Sequence, residues 1–360
     1  MAPSKEPGNL ATLRNALSST KALIRSFQAA LQSPTPPPSV IQDPPNPLAL
    51  LSDASQILKA QTTKLSLLIL NKPFTHSAIT FILKSLSNNC LPGLISALEI
   101  CPATKYTRLL HQHIRSTLLK VMRELLSLIA SIPSDEHGIE TSTGRNTLAS
   151  TGVLWAECDK MVELASKGLV YLATQRTEDH HGLLKDAIQE LEEWDPDEDT
   201  DSDTDSLSSN KQKPASTPTA DNISSAIEEL HISSIANLRK STLLTLRTVR
   251  VIYPALKKRR ISTFPNITSA STLESLPTSA DIDALDSLVD QAKGFTDAAD
   301  EIAGALYEGD VEQVERRLRA LRESAEGCAI GVKTGWKGEE DEFTAWAEKW
   351  TARLEEVGRE

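Results

Sequence analysis

The sequence is poor in the residues that sheets and phosphate-binding loops require. Only 4% of its 360 residues are aromatic, and 15 are glycine. Sandwiches and barrels need short alternating runs of β-branched and aromatic residues, and phosphate-cradling loops need glycine. These shortages, beside abundant leucine and alanine, favour an all-helical fold. The hydrophobic fraction of 39% is low for a fully packed chain, which predicts that part of it is unpacked.

Cysteine pairs and long apolar runs are also missing. Cys90, Cys101, Cys158 and Cys328 lie far apart with no CxxC pair, which argues against a disulfide framework or a zinc ribbon. We expect buried, reduced thiols in an intracellular protein. The sequence contains no stretch of 18 apolar residues, so we predict no membrane-spanning helix. The first ten residues lack the apolar core of a signal peptide.

The sequence holds no recognisable catalytic or metal-binding motif. It contains no GxGxxG, GxxxxGK[ST] or GxSxG, and no kinase signature set. The pairs His111/His113 and His180/His181 have the wrong spacing for a helical zinc pair. The alternating acids of 197–205 lack the glycine and glutamate of a calcium loop. We therefore predict a non-enzymatic protein with no catalytic residues, no cofactor and no metal site.

Apolar periodicity divides the chain into helical segments separated by two linkers. Prolines fill the first linker, which predicts an extended segment, whereas acids, serines and threonines fill the second, which predicts disorder. The predicted architecture is all-α, with an N-terminal four- or five-helix bundle and a second helical domain joined by the acidic linker. The predicted ranges are an amphipathic helix at 1–32, a Pro-rich linker at 33–47, the bundle at 48–194, the acidic linker at 195–222 and the second domain at 223–360. The first helix either docks on the bundle or is released from it.

The net charge of -11 is concentrated in one short tract. Residues 190–205 contain ten acids and no lysine or arginine, so the remainder of the chain is nearly neutral. Within the tract, Thr200 and Ser202 each precede an aspartate by three residues. This pattern predicts phosphorylation by an acid-directed kinase, and the alternative is a solvated tract without such a role.

The chain has one dense basic run. Its members are Lys257, Lys258, Arg259 and Arg260. We interpret the run as a nuclear-import signal or phosphate-binding patch; the compatible alternative is that cations at a helix C-terminus complement the helix dipole. Because no aromatic residues are interleaved, we predict no direct sequence-specific binding of nucleic acid.

Three stretches resemble the cyclin-D-binding protein family (GCIP family), in the form of its fungal members. They are NNCLPGLISALE (88–99), TGVLWAECDKM (151–161) and LLKDAIQELEEW (183–194). The residues that carry the resemblance are Pro92, Trp155, Cys158, Asp159 and Trp194. We interpret these residues as packing and capping positions.

The resemblance implies an all-helical, non-enzymatic binding protein. Its expected partners are cyclins of the D type or helix-loop-helix regulators, and its expected role is to dampen cell-cycle progression or transcription, in the nucleus and the cytoplasm. The residues themselves agree on the class, because long amphipathic helices can offer a groove to a partner helix. The alternative is a structural or cytoskeletal adaptor built from stacked bundles. A helical enzyme would need carboxylate and histidine sets facing each other inside a bundle, and the sequence holds none.

Overall fold

The computed structural model describes residues 6–33, 44–71, 75–132, 141–195 and 220–359. Within these ranges the protein contains helices and no strand, so the all-α prediction is confirmed. The α-helices are α1 (Glu6–Gln32), α2 (Pro47–Leu70), α3 (His76–Ser85), α4 (Leu91–Glu99), α5 (Ala103–Tyr106), α6 (Arg108–Ala130), α7 (Thr141–Glu193), α8 (Ala220–Arg250), α9 (Ile252–Leu256), α10 (Ser279–Tyr307), α11 (Val311–Gly331) and α12 (Glu342–Val357). None of the helices in the described ranges is both long and apolar enough to span a bilayer.

The first helix, α1, is docked on the N-terminal bundle, which is one of the two predicted alternatives. Its apolar stripe is buried against α3 and α6. The hydroxyl of Thr20, on the same stripe, lies 3.0 Å from the hydroxyl of Ser87. At its C-terminal end the guanidinium of Arg115 donates to the carbonyl oxygens of Leu31 and Ser33. Helix α1 is therefore part of the N-terminal bundle.

In the sequence, Asn88 and Asn89 interrupt the apolar periodicity that follows α3, but they do not end the helix. A π-helical turn (Leu86–Cys90) accommodates them and runs directly into α4, with Pro92 in the first turn of α4. Helix α6 begins after Thr107. The φ of 79° at Thr107 is not helical and so separates α6 from α5, and the hydroxyl of Thr107 accepts a hydrogen bond from the amide of Leu110. Apolar periodicity predicts that this helix begins at Tyr106, and it begins two residues later.

The longest helix differs from the prediction. The apolar periodicity of the sequence predicts one helix that ends near Leu172 and a partner helix that begins near Leu183, but α7 runs through this region. Its only non-helical backbone is at Gly168, with φ 81° and ψ -166°. A positive φ with extended ψ is accessible to glycine and strained for other residues. The helix therefore breaks four residues before the expected end.

A loop fills the break in α7 and satisfies the exposed helix ends. The amides of Leu169 and Val170 donate to the carbonyl oxygen of Ile267 and to the side-chain oxygen of Asn266. In the other direction, the side-chain amide of Asn266 donates to the carbonyl oxygen of Lys167 at 2.9 Å. We call the loop residues 266–271 the clasp, because they bind both sides of the break.

The clasp is tied to the start of α2. The side-chain nitrogen of Asn46 donates to the carbonyl oxygens of Thr268 and Ser271. Its side-chain oxygen accepts from the amides of Leu48 and Ala49, which caps α2. One asparagine thus both starts a helix and fixes a loop more than 200 residues away in sequence.

The chain forms two compact units, each built from two segments. Unit 1 comprises Met1–Leu172 and Pro265–Asp283, and unit 2 comprises Ala173–Phe264 and Ala284–Glu360. These units differ from the predicted ranges 48–194 and 223–360, because α7 continues from unit 1 into unit 2 and the clasp returns to unit 1. Sequence periodicity gives no signal for such a return.

Unit 2 packs the last part of α7 with α8 to α12 around an aromatic centre. The ring of Tyr253 stacks on His181 and meets the edge of Phe295, and its hydroxyl donates to the carbonyl oxygen of Ala292 at 2.6 Å. Trp346 and Trp350 lie one turn apart on α12, a spacing that predicts an aromatic stripe packed in the core. Trp350 is buried, and its indole nitrogen donates to the carbonyl oxygen of Thr248. The predicted core packing is therefore confirmed for Trp350.

Candidate functional site

Helix α2 and the first part of α7 pack side by side in unit 1, and polar pairs fix their register. The hydroxyls of Ser66 and Thr151 are 2.6 Å apart, and the ammonium of Lys59 lies 2.6 and 2.8 Å from the two carboxylate oxygens of Asp159. Because residue numbers fall along α2 as they rise along α7, the two helices are antiparallel.

The outer edge of this contact exposes large apolar side chains. Trp155 lies one helical turn from both Thr151 and Asp159, and Leu148 lies one turn before Thr151, so both are on the side of α7 that faces α2. Leu70 lies one turn beyond Ser66 on α2. We call the set of Leu67, Leu70, Leu148 and Trp155 the apolar seam; their exposed fractions are 54%, 37%, 58% and 37%.

The seam has the features of a helix-binding surface. A contiguous apolar strip on a protein surface marks an interaction site more often than a solitary exposed leucine does. Tryptophan is enriched among the residues that dominate binding energy. A Cβ added at Gly152, between Leu148 and Trp155 on α7, would meet no atom within 4 Å, so the strip is open at this point. The exposed ion pair of Lys59 and Asp159 forms a polar rim at one end.

Sequence periodicity missed the exposure of this strip. The apolar pattern of the sequence assigns Leu148, Val153 and Trp155 to the apolar positions of their helix, yet all three are exposed. The same pattern assigns Ile57 to the apolar positions of α2, and its side chain is 46% exposed. The sequence nevertheless contained a sign of this exposure, because α7 carries apolar residues on more of its circumference than one packed face requires.

Cys158 lies next to Asp159 but faces inward and is fully buried. Burial, and secondarily the neighbouring carboxylate of Asp159, raises the pKa of its thiol to about 12. Burial likewise raises the pKa of Cys90 to about 11 and that of Cys328 to about 12. These thiols are protonated at neutral pH, which suits packing rather than nucleophilic attack.

The residues that carry the resemblance do not converge on one site. Pro92 starts α4, and Cys158 belongs to the core of unit 1, whereas Trp155 and Asp159 are on the surface. Trp194 belongs to unit 2, where its ring meets the edge of Tyr307 with centroids 4.9 Å apart. The packing and capping role of this set stays a prediction. Because Trp155 is partly exposed, it also contributes to the surface of unit 1.

The basic run forms a π-helical turn (Lys257–Ile261) after α9 and is largely engaged within unit 2. Lys257 pairs with Glu178, and Arg259 pairs with Glu342. Lys258 is exposed. The folded run therefore presents its cations on different sides of a helical turn, whereas an import signal is read as a linear stretch. Nuclear import stays a prediction.

Arg260 is buried and acts as a structural node. Its guanidinium donates to both carboxylate oxygens of Asp341, at 2.7 and 3.0 Å, and to the carbonyl oxygens of Val332 and Lys333. It also lies over the ring of Phe343, 4.3 Å from the centroid. These hydrogen bonds from Arg260 lower the pKa of Asp341 to about 2. The fourth residue of the predicted import run is thus inaccessible in the folded unit.

Two further sets of residues were singled out in the sequence. Thr200 and Ser202 lie outside the described residues. His111 is buried with its ring nitrogen 2.9 Å from the carbonyl oxygen of Cys101, and His180 lies beside Thr296. Within the described parts of the chain, no three histidine, cysteine or acidic side chains are grouped to hold a metal ion.

The apolar seam lies within the part of the chain that matches a known protein family. Residues 50–197 match the family model described as Grap2 and cyclin-D-interacting, N-terminal. The chain is also similar to an uncharacterized protein of Schizosaccharomyces pombe, with 26% identity over 318 residues that cover 87% of this chain and 86% of the relative. All three stretches that resemble the family lie within the matched residues, so the predicted resemblance is confirmed, and the match points to a role in protein interaction.

Proposed function

We propose that this protein is a non-enzymatic interaction module that binds an amphipathic helix of a partner; the match of residues 50–197 to the N-terminal model of the Grap2 and cyclin-D-interacting family supports the proposal. The binding surface is the apolar seam of α2 and α7. A partner helix presents apolar residues at three–four spacing, and these pack against Trp155 and the flanking leucines.

The proposal extends to the kind of partner. The description of the matched family names cyclin D, and the resemblance adds helix-loop-helix regulators. The protein then acts on cell-cycle progression or transcription, in the nucleus and the cytoplasm. A cyclin and a helix-loop-helix dimer both consist largely of helices, so either partner suits a surface made from two helices.

The exposure of Trp155 carries the proposal. The indole is 37% exposed inside the matched region, with the exposed Leu148 two turns away on the same side of α7 and the exposed Leu70 on α2. A partner that covers these side chains removes their apolar surface from water, which favours binding. The paired carboxylate of Asp159 and ammonium of Lys59 keep one end of the seam polar, which limits the length of helix that can pack there.

The test measures binding of the purified full chain to a purified D-type cyclin and, separately, to a helix-loop-helix domain, by calorimetry. We expect Trp155→Ala to weaken binding by about 2 kcal/mol or more, roughly thirtyfold, because truncated aromatic anchors lose energies of this size. The matched control is Phe81→Ala, since Phe81 is an aromatic residue of unit 1 that is 72% exposed on α3.

Equal loss in both variants, or no effect of Trp155→Ala on a partner that binds, contradicts the seam as the binding site. Failure of both partner classes, combined with co-sedimentation of the chain with actin filaments or microtubules, favours the structural adaptor instead. Circular dichroism melting of each variant separates lost binding from lost folding.

A further inference from the structure

The C-terminal part of α7 lies beside α10 in unit 2, and three contacts fix the register of the two helices. The ring nitrogen Nδ1 of His180 lies 3.4 Å from the hydroxyl of Thr296, and the hydroxyl of Tyr307 donates to the carboxylate of Glu190 at 3.3 Å. The ring of Trp194, directly after α7, packs edge-to-face with that of Tyr307, with centroids 4.9 Å apart. Because residue numbers rise together along both helices, the two run parallel.

Two stripes of residues meet along this contact. On α7 the stripe continues from His180 to Glu190 at three–four spacing, and on α10 it continues from Thr296 to Tyr307 at the same spacing. Most members of the two stripes are at least partly open to solvent. We call this open set the acidic groove; it consists of Leu183, Ala187, Glu190, Asp300, Gly304 and Tyr307.

The acidic groove is low at its centre and has a large apolar side chain toward each end. Leu183 is 57% exposed near one end, and Tyr307 is 40% exposed near the other. Between them lie Ala187 and Gly304, and a Cβ added at Gly304 would meet no atom within 4 Å. Apolar side chains grouped on a surface mark an interaction site. The small residues between them leave room for the backbone of an approaching helix.

The groove also carries two carboxylates that no cation of the described chain neutralises. Glu190 accepts a hydrogen bond from Tyr307 but, like Asp300, has no basic side chain within ion-pair distance among the described residues. The neighbouring Asp297, by contrast, pairs with Lys293 at 2.7 Å. Burial raises the pKa of Asp300, and the nearby carboxylates of Asp297 and Glu190 raise it further. A cation that approaches both Glu190 and Asp300 relieves this repulsion.

The charge of the groove selects the class of ligand. The phosphates of nucleic acids and the headgroups of anionic lipids are repelled by carboxylates. The described residues include no group of three side chains arranged to hold a metal ion. A lysine or arginine has the complementary charge, and its apolar stem packs on a side chain such as Leu183 while its charged end reaches a carboxylate. Aromatic rings such as that of Tyr307 also attract cations.

We propose that the acidic groove docks an amphipathic helix of a protein partner, with lysine or arginine side chains that pair with Glu190 and Asp300. The stripe on α7 runs from His180 to Trp194, which is about 21 Å along the helix axis. A partner helix of about fourteen residues matches this length. The proposal does not depend on the apolar seam, because the groove belongs to the other unit and selects its ligand by charge.

The experiment uses the full chain and a fluorescein-labelled helical peptide of about fourteen residues, with leucines at three–four spacing flanked by lysines, followed by anisotropy. The test variant is Glu190→Gln with Asp300→Asn, which removes both charges and retains an acceptor for the hydroxyl of Tyr307. The matched control is Glu315→Gln with Glu340→Gln, two exposed acids of unit 2 outside the groove. We expect the test variant to bind the peptide about tenfold more weakly and the control to change affinity by less than about twofold.

Two further measurements separate the groove from other surfaces. Leu183→Ala should weaken binding about fivefold, because it removes the exposed apolar side chain at one end. Trp155→Ala in the apolar seam should change the affinity for this peptide by less than about twofold. A peptide in which glutamates replace the lysines should not bind. Circular dichroism melting of each variant separates lost binding from lost folding.

Several results would overturn the proposal. Equal losses in the test variant and the control would assign binding to the overall negative charge. Loss in Trp155→Ala with full binding by the test variant would place the peptide on the apolar seam. A dimer of the unaltered chain in sedimentation velocity that dissociates in Leu183→Ala would make the occupant a second copy. Binding that emerges only after Lys211 and Lys213 are changed to alanine would make the occupant a segment of this chain. No binding by the unaltered chain or by that variant would exclude the groove altogether.

Discussion

At Gly168 the backbone has φ 81° and ψ -166°, and a Cβ placed there would lie 2.3 Å from the carbonyl oxygen of Ile267 and 2.6 Å from the side-chain oxygen of Asn266. Both atoms belong to the clasp, which cannot withdraw without losing its hydrogen bonds to α7. The absence of a side chain at this one residue therefore allows the clasp to enter the helix.

We predict that Gly168→Ala destabilises the protein by about 2–5 kcal/mol, because backbone strain and a steric clash act together. The control is Gly182→Ala in the same helix, where an added Cβ meets no atom within 4 Å. This second change should stabilise the helix by up to about 1 kcal/mol. Urea unfolding followed by circular dichroism measures both. Similar midpoints for the two variants would contradict the steric role of Gly168.

The ion pair of Arg260 and Asp341 should make the stability of the protein depend on pH in the acid range. The pKa of Asp341 is lowered to about 2 by its hydrogen bonds from Arg260, so the folded state binds the proton less readily than the unfolded chain does. The stabilisation is present above the ordinary pKa of 3.8 and is lost as the pH falls through about 2. Because Asp341 is about one-third exposed, we expect a contribution of about 1–2 kcal/mol.

Asp341→Asn tests this contribution. Asparagine caps a helix nearly as well as aspartate, so the change removes the charge and retains the N-cap of α12. We expect a loss of about 1–2 kcal/mol at neutral pH and a flatter dependence of stability between pH 4 and pH 2. Asp310→Asn, at the N-cap of α11, is the control and should be nearly neutral. An unchanged pH profile in Asp341→Asn would refute the pair's contribution.

Among the elements, α1 shows how an amphipathic pattern specifies docking. Its predicted stripe is the face that is buried, with Leu13 and Ile24 fully inaccessible. We predict that Ile24→Ala destabilises unit 1 by about 2–5 kcal/mol, because it leaves a cavity between packed helices. Ser26→Ala, on the exposed side of the same helix, should change stability by less than about 0.5 kcal/mol. If thermal melting shows no difference between the variants, α1 does not stabilise the bundle.

The elements also show what the sequence could and could not predict. The helix type and most of the helical boundaries follow from apolar periodicity and prolines, as α1, α6 and α12 show. The break at Gly168 could not be placed, because a glycine within a helical pattern is usually tolerated and the clasp that requires it lies about 100 residues away. The burial of Arg260 was equally hidden, since a run of four cations predicts exposure.

For the candidate site, the sequence identified Trp155 and Asp159 by resemblance, but it placed Trp155 in the packing. Which apolar residues remain uncovered depends on how many neighbours a helix has in three dimensions. Periodicity indicates that a face of a helix is apolar, but it does not indicate whether another helix covers that face. The leucines of the apolar seam could therefore be recognised only from the packed structure.

At the scale of the whole molecule, the chain passes between its units more than once. Residues 265–283 return to unit 1 after the chain has already formed part of unit 2. The matched family domain, residues 50–197, therefore contains neither unit completely. The clasp supplies acceptors for the amides of Leu169 and Val170 and donors for the carbonyl oxygens of Ala165 and Lys167. A fragment that ends near the break loses these partners.

We predict that residues 1–172 alone are less stable than the same residues joined by a Gly/Ser linker to residues 265–283. The joined fragment regains hydrogen bonds worth about 0.5–1.5 kcal/mol each, and the burial of Ile267 adds about 1.5–3 kcal/mol. We therefore expect a gain of about 3–6 kcal/mol in the free energy of unfolding, measured in urea.

Asn266→Ala in the joined fragment is the control, and it should lose part of the gain because the side chain binds both sides of the break. If the bare and joined fragments unfold at the same urea concentration, unit 1 is complete without the returning segment. A higher midpoint that falls again in Asn266→Ala would establish that the clasp, rather than added chain length, completes the N-terminal bundle.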